Sequence, residues 1–279
     1  MKNQNHTPAP GDPQQKNPRT KMSGRNYVSF SEIKTWDECS YKHNLVYVNN
    51  IRLFNGNAFT AFGKAVHAVS EKYLVDQTAT DPASYFESQF MEELKELREK
   101  TPNMELDRDL ISTMRESGQV LANLIVPSVT EYFGDHEIIS VEEELHEKLT
   151  NDRNFKGYID LVLKTGDTYH IMDWKTCGWG WNARRKNDRM TTYQLAYYKN
   201  FFCEKHGIDP KNVKTYFGLL KRTAKKNHVD IFEVSSGKQK IENALNLMEK
   251  VLYNVDNNIN YKNRLSCERC EFFKTKHCR

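Results

Sequence analysis

The sequence lacks a hydrophobic run long enough to cross a membrane, because even the apolar stretch at residues 121–126 is short and is interrupted by Asn123. It also lacks the basic-then-apolar start of a secretory signal. No G-x-x-x-x-G-K-[ST] phosphate-binding loop occurs in it. These absences predict an intracellular, cytoplasmic protein with no membrane partner and no ATP-driven motor of its own.

A large charge excess is also missing. The net charge of +4 over 279 residues arises in residues 1–26, which hold five basic residues, one acid and four prolines. The rest of the chain is balanced, so its overall charge does not argue for or against nucleic acid as a partner. We expect residues 1–26 to be a disordered basic tail and residues 27–279 to form a single domain.

Cysteine is scarce, with six in the chain, and an intracellular protein gives little reason to expect disulfides. Three of the six crowd the end of the sequence as Cys267-x-x-Cys270 followed by Cys278. Both sulfurs of such a pair can reach one metal centre. A fourth ligand is needed, and His277 is a local candidate. The spacing alone does not choose between zinc and an iron–sulfur cluster.

Hydrophobic periodicity predicts helices first and strands afterwards. Helices are predicted at residues 31–48 with Ser31 as N-cap, at 58–74, 82–100, 106–133 and 191–205, and in a last helix after a Ser236/Gln239 capping box. Strands are predicted near residues 139–149, 155–163, 169–175, 213–220 and 229–234. This order predicts an α/β fold with a mixed central sheet flanked by helices.

Two acids and a lysine lie on consecutive predicted strands. Asp160 ends a Gly157-x-x-Asp160 stretch, and Asp173 and Lys175 follow across a tight turn. Alternation in a strand puts Asp173 and Lys175 on one face, and a hairpin can bring Asp160 beside them. Two adjacent carboxylates repel unless a cation lies between them. The alternative is that these residues are ordinary charges at strand ends, which need no cation. We therefore predict a metal site here.

Further polar residues accompany this site in sequence. His67 lies four residues from Gly63 on one helix face, although a lone helix histidine is more often a core residue. Gln194 and Tyr198 share another helix face, which can equally be a surface beside the core. Basic residues in two loops are candidates for DNA binding, with a solvated face as the alternative: Arg184, Arg185, Lys186, Lys221 and Arg222.

The joint order of these motifs is more specific than any one of them. The motifs are Ser31-x-Ile33 followed by Cys39, Gly63-x-x-x-His67, Gly157-x-x-Asp160, Asp173-Trp174-Lys175, Gln194-x-x-x-Tyr198 and Cys267-x-x-Cys270 followed by Cys278. In this order the chain resembles the PD-(D/E)XK nuclease superfamily. The resemblance is to its RecB-like branch with an iron–sulfur cluster, which includes the AddB nuclease domain and CRISPR-associated RecB-like exonucleases. It covers most of residues 27–279.

The resemblance implies a restriction-endonuclease-like core with a catalytic metal. His67, Asp160 and Asp173 are implied as ligands of Mg²⁺ or Mn²⁺, with the backbone carbonyl of Trp174 as an added ligand. Lys175 is implied to act at the scissile phosphate, and the glutamine–tyrosine helix to support the site.

The resemblance also implies that the cysteines hold a [4Fe–4S] cluster, with zinc as the alternative. Cys39 is its implied fourth ligand, which would tie the C-terminal cysteines to an N-terminal helix. Cys177 and Cys203 would then be ordinary thiols.

The expected activity is that of a DNA exonuclease or flap-type nuclease in repair, recombination or end processing. Its expected substrate is DNA that is single-stranded or has single-stranded ends. One alternative is a DNA-binding or adaptor module whose nuclease site is unused. Another is an enzyme that works in a complex with a helicase, recombinase or integrase partner.

Overall fold

The computed structural model describes residues 25–76, 78–149 and 153–279. The strands are β1 (Tyr27–Ser29), β2 (Glu137–Lys148), β3 (Asn154–Thr165), β4 (Thr168–Cys177), β5 (Val213–Lys221) and β6 (Val229–Glu233). The helices are α1 (Phe30–Glu38), α2 (Ser40–His43), α3 (Ala58–Val75), α4 (Pro82–Lys100), α5 (Arg108–Phe133), α6 (Ala183–Lys186), α7 (Arg189–His206) and α8 (Lys238–Asp256). Of the predicted tail, residues 1–24 lie outside the described part.

The six strands form one mixed sheet, in which the path β1-β3-β4-β5-β6 is joined by β2 on the other edge of β3. The β3–β4 and β5–β6 pairs are antiparallel, and the β4–β5 and β1–β3 pairs are parallel. Helices cover both faces: α3, α4 and α5 pack on one, and α7 and α8 on the other. The predicted mixed α/β fold is confirmed.

Strands β1 and β4 share the same edge of β3 without meeting. β1 pairs with β3 as far as Lys156, whereas the pairing of β4 with β3 begins at Leu161. Residues 157–160 therefore lie at an opening in the sheet. Backbone and side-chain groups at such an opening can be reached by a ligand.

The first predicted helix is shorter than its periodicity indicates. Ser29, and not Ser31, is the N-cap, and its hydroxyl accepts a hydrogen bond from the Glu32 amide at 3.3 Å. The helix stops at Cys39, whose backbone is extended (φ −166°, ψ 111°), and a short helix and a π-helical turn over Asn44–Val48 follow. The backbone amide of Asn263 donates to Cys39 Sγ at 3.3 Å, so a contact with the far end of the chain overrides the local pattern.

The predicted capping box of the last helix does not form. Gly237 occupies the N-cap position and no side chain caps it. Ser236 is buried instead, with its hydroxyl 2.8 Å from that of Thr215 on β5. Ser236 is therefore buried in a tertiary contact and is not available to cap the helix.

None of the described helices is long and apolar enough to cross a membrane.

Candidate active site

Asp160 and Asp173 lie side by side at the opening in the sheet. The β3–β4 ladder ends at the pair of Leu161 with Met172, and each aspartate is the adjacent residue on its strand. Both carboxylates are buried, with exposed fractions of 8% and 2%. The backbone amide of Trp174 donates to Asp160 Oδ2 at 2.6 Å. The hairpin therefore brings the two acids together as the sequence predicted.

Asp173 is held by two side chains on its own face of the sheet. Lys175 Nζ lies 2.5 Å from Asp173 Oδ2, and Gln194 Nε2 donates to Asp173 Oδ1 at 2.7 Å. The same amide nitrogen donates to the Tyr198 hydroxyl at 3.0 Å. Gln194 and Tyr198 are buried, so the surface-helix alternative does not describe them. The predicted glutamine–tyrosine pair orients a carboxylate of the predicted site.

Gly157 allows helix α7 to approach the sheet beside Asp160. A Cβ atom at this position would lie 3.0 Å from a ring carbon of Tyr198 and 3.1 Å from one of Phe155. Contacts this short are tighter than ordinary van der Waals distances, so a larger residue would displace the Tyr198 ring, whose hydroxyl accepts from Gln194. The glycine of the Gly157-x-x-Asp160 motif thus has a packing role.

His67 meets Asp160 from helix α3, where an Asn57/Thr60 capping box starts the helix. His67 Nδ1 lies 3.6 Å from Asp160 Oδ2. A ligand atom of Glu142 joins them, and the three atoms lie within 4.8 Å of one another. Within residues 25–76, 78–149 and 153–279, this is the one group of three or more His, Cys, Asp or Glu side chains that meets this spacing.

Glu142 was not predicted from the sequence. It follows Val141, which pairs with Leu161, and it precedes Glu143, which pairs with Ile159, so Glu142 lies opposite Asp160. Its backbone has φ +51°, a left-handed conformation that is rare for a non-glycine residue and is often found at functional sites. The only sequence signal was its place in a run of three glutamates, of which Glu143 binds Lys205 at 2.7 Å instead.

Crowding of acids changes the protonation of this site. Burial and the neighbouring Asp173 raise the pKa of Asp160 well above its usual value. Burial and the Asp160 charge raise the pKa of Glu142 to about 7. Burial lowers the pKa of His67, so its imidazole is neutral near pH 7 and has a lone pair available for a metal. The two carboxyl pKa values are raised because burial and neighbouring carboxylates both disfavour the charged form.

The predicted DNA-binding residues are dispersed. Arg185 lines a cavity that also contains Lys175 and Gln194, and its guanidinium lies 4.7 Å from the ring centre of Trp181. Lys186 forms an ion pair with Asp230 at 3.1 Å, and Arg184 is exposed on α6.

Lys221 and Arg222 lie where β5 ends. The Arg222 guanidinium is 5.2 Å from the ring centre of Phe59. Arg185 is therefore the one of these residues that shares a described cavity with Lys175 and Gln194.

The four cysteines of the predicted cluster surround one cavity at the C-terminal end of α1, whereas the start of α1 lines the active-site cavity. This cavity has a volume of about 320 Å³ and is lined by Cys39, Cys267, Cys270 and Cys278. His277, the alternative ligand, does not line it; its carbonyl accepts from the Tyr41 hydroxyl at 3.0 Å. Cys203 is buried in α7, and Cys177 ends β4. The predicted selection of four cysteines out of six is therefore brought together.

The family model of the PD-(D/E)XK nuclease superfamily matches residues 27–275. The crystal structure of a candidate exonuclease from Eubacterium rectale aligns over 93% of this chain and 92% of that chain, with TM-score 0.53 and 14% identity. A second crystal structure, SSO0001, aligns over 78% of this chain and 96% of that chain with TM-score 0.36 and 13% identity. A search among curated proteins found no match.

A mixed sheet that presents two acids and a lysine at its opening, with the family model matching most of its length, defines the class of protein. The chain belongs to the PD-(D/E)XK nuclease superfamily. Nucleases of this superfamily use divalent metals. The His67, Glu142 and Asp160 group described above is a set of side chains that could hold one.

Proposed function

We propose that this protein is a metal-dependent DNA nuclease that hydrolyses phosphodiester bonds at the opening between β1 and β4. The proposal rests on the contacts of Asp173. This residue lies beside Asp160, and its carboxylate contacts both Lys175 and Gln194. If Asp173 and Lys175 were only an ion pair at the end of a strand, neither a second buried carboxylate nor an amide hydrogen bond that orients Asp173 would be needed.

The side chains fit a hard divalent cation. Asp160, the half-buried Glu142 and a neutral His67 converge, and the buried Asp173 lies beside Asp160. Oxygen-rich sites of this kind suit Mg²⁺ or Mn²⁺. His67, Asp160 and Asp173 would hold the ion, with Glu142 as a further candidate. The Trp174 carbonyl is the remaining proposed ligand. Its amide points at Asp160, and in a strand both backbone groups of one residue point to the same side.

The chain's own residues supply the rest of the chemistry. Lys175 can orient the attacking water and offset charge on the phosphate, because its amine reaches the carboxylate at the centre of the site. Gln194 and Tyr198 keep that carboxylate in one orientation. A bound Mg²⁺ or Mn²⁺ supplies Lewis-acid stabilisation of the charge that develops on the phosphate.

An assay of cleavage separates this proposal from a DNA-binding module with an unused site. End-labelled single-stranded and duplex DNA are incubated with the protein in Mg²⁺, Mn²⁺ or EDTA. Products that form only with metal support the nuclease. Binding without products under every condition would favour the adaptor function instead. We expect single-stranded DNA or single-stranded ends as substrate, in repair, recombination or end processing, with a helicase, recombinase or integrase as possible complex members.

Metal binding is expected to stabilise the fold in a pH-dependent way. A carboxyl whose pKa is raised on folding stabilises the protein only while it is protonated. The metal-free protein should therefore lose stability as pH rises from the ordinary Glu142 value of 4.5 to about 7. Bound metal reverses this loss. At about a hundredfold excess over Kd, Mg²⁺ or Mn²⁺ should raise Tm by roughly 5 to 10 °C, and differential scanning fluorimetry measures the shift.

Two glutamates on β2 provide the matched comparison. Glu142→Gln should raise the metal-free Tm at neutral pH and reduce the metal-induced increase. Glu137→Gln, at the exposed start of the same strand, should change neither. The metal increase should be smaller at about pH 5 than at about pH 8, because metal ligands must be deprotonated. A metal-induced increase that is the same at both pH values and in both variants would contradict the assignment.

The basic residues of α6 give a prediction about binding. Neutralising Arg184, Arg185 and Lys186 together should weaken DNA binding and lower the magnitude of the log–log salt slope by roughly 0.7 to 0.9 for each lost phosphate contact. Lys186 is already paired with Asp230, so most of the effect should come from Arg185→Ala alone. Fluorescence anisotropy across a salt series measures the slope, and an unchanged slope would make α6 a solvated surface.

We also propose that the four-cysteine cavity holds a [4Fe–4S] cluster. A tetrahedral zinc site places its sulfurs about 3.8 Å apart, as follows from a Zn–S bond of about 2.3 Å. Among the described residues, no three cysteine sulfurs lie within 4.8 Å of one another. Sulfurs spread around a cavity of about 320 Å³ support the larger cluster as ligand.

A further inference from the structure

A row of alternating aromatic and cationic side chains lies beside the active site. The Arg25 guanidinium is 5.6 Å from the ring centre of Tyr47 and 5.8 Å from that of Tyr27. Lys156 Nζ is 5.6 Å from the ring centre of Tyr27 and 5.5 Å from that of Tyr158. The order is therefore Tyr47, Arg25, Tyr27, Lys156, Tyr158. We call these five residues the tyrosine stripe.

The stripe and the active site share one cavity. All five side chains line the cavity of about 470 Å³ that also contains both aspartates, His67 and Lys175. Arg52 lines it too. The stripe is assembled from three separate parts of the chain: the start of β1, the π-helical turn and β3. One face of Tyr47 stacks on the buried His43, with ring centres 5.2 Å apart, but the three rings are only partly buried and Tyr158 is 40% exposed.

The cations that line this cavity, Arg25 and Lys156 of the stripe and the neighbouring Arg52, are incompletely neutralised. Arg25 and Arg52 make no ion pair with any carboxylate in the part of the chain that the structure describes. Lys156 lies 3.5 Å from Glu144, which also accepts from the Tyr158 hydroxyl at 2.9 Å, so the outer end is partly balanced. Two uncompensated arginines facing one cavity favour a ligand with several negative charges.

An unpaired nucleic acid strand has both properties that the stripe matches. Its phosphates take cations, and its bases have free faces that stack on aromatic rings, a combination typical of single-strand binding sites. Bases inside a duplex are covered by their neighbours and must first leave the stack. A cavity of about 470 Å³ is also in the size range of small-ligand pockets, enough for about one or two nucleotides.

We propose that the tyrosine stripe binds the unpaired nucleotides next to the scissile phosphate, with bases on Tyr27 and Tyr47 and phosphates at Arg25 and Arg52. This inference rests on the proposed nuclease function and adds to it a set of residues that selects unpaired over paired DNA. None of these residues was a candidate site residue in the sequence.

The test measures binding without cleavage, in an Asp173→Asn background. Fluorescence anisotropy is recorded with a labelled single-stranded oligonucleotide and with a blunt duplex of the same sequence. Tyr27→Leu combined with Tyr47→Leu should weaken single-strand binding about tenfold or more and change duplex binding little, because stacking on each ring is lost. Tyr27→Phe combined with Tyr47→Phe should retain the affinity. Tyr253→Leu, an exposed tyrosine on α8, is the control.

The arginines are tested through salt dependence. Arg25→Ala combined with Arg52→Ala should lower the magnitude of the single-strand salt slope by about 0.7 for each lost phosphate contact. Arg98→Ala on α4 should leave the slope unchanged. This pair of variants also decides the matter if the leucine variants fail to fold by circular dichroism.

Two results would overturn the proposal: single-strand affinity and slope that match the parent in the folded variants, or equal losses for single-stranded and duplex DNA. Cleavage by the unmodified protein is scored separately. A protein that binds single strands through the stripe but never cuts them would disprove the nuclease proposal and leave the stripe intact.

Discussion

Asp173→Asn is expected to reduce metal-dependent cleavage on the order of 10³-fold or more while leaving DNA binding within a few-fold of the parent. The substitution removes a buried negative charge at nearly constant volume, at the point where Lys175 and Gln194 converge. Binding should survive because the cations that face the cavity are untouched. Initial rates with end-labelled DNA and anisotropy on the same samples measure the two effects separately.

Lys175→Ala is the matched variant for this experiment. It should also lose most of its turnover, because the lysine orients water and offsets phosphate charge. It should keep its metal-induced rise in Tm, since a lysine is not a metal ligand, whereas Asp173→Asn should lose part of that rise. Substantial Mg²⁺-dependent turnover in Asp173→Asn would remove this carboxylate from the site. A loss of metal affinity in Lys175→Ala would make the lysine structural.

The sequence predicted the parts of the site that obey local periodicity. Alternation along β4 places Asp173 and Lys175 on one face, and the glycine turn between β3 and β4 brings Asp160 beside them. Helical spacing likewise puts Gln194 and Tyr198 on one side of α7, where both reach the site. Such residues are predictable because their neighbours in space are also close in the chain or follow a regular repeat.

The missed residues depend on tertiary contacts. Glu142 reaches His67 and Asp160 with a left-handed backbone, which a regular strand pattern does not anticipate. The tyrosine stripe is built from three parts of the chain with no common spacing. The incorrect local predictions have the same cause. Ser236 contacts Thr215 and does not form the predicted capping box. The first helix ends at Cys39, although its apolar pattern continues past that residue.

Cys39→Ser is expected to give a protein that loses its cluster and much of its stability. Cys39 and Cys267 are 228 positions apart, so one cluster that binds both closes almost the whole fold into a loop. In the simple chain model a cross-link over such a loop removes about 5 kcal/mol of unfolded-state entropy. That is comparable with the total stability of many domains. Iron and sulfide analysis, the visible spectrum and Tm are the measurements.

The hydrogen bonds that also join the two ends are too weak to replace the cluster. Ser266 Oγ donates to the Glu38 carbonyl at 2.7 Å and Lys42 pairs with Glu271 at 3.1 Å, but these groups are partly exposed and each adds about 1 kcal/mol or less. Cys203→Ser, buried in α7 away from the cavity, should therefore keep the metal. Stoichiometric zinc without iron in anaerobically prepared protein would refute the cluster but keep the cross-link. Full metal content and an unchanged Tm in Cys39→Ser would refute the cross-link itself.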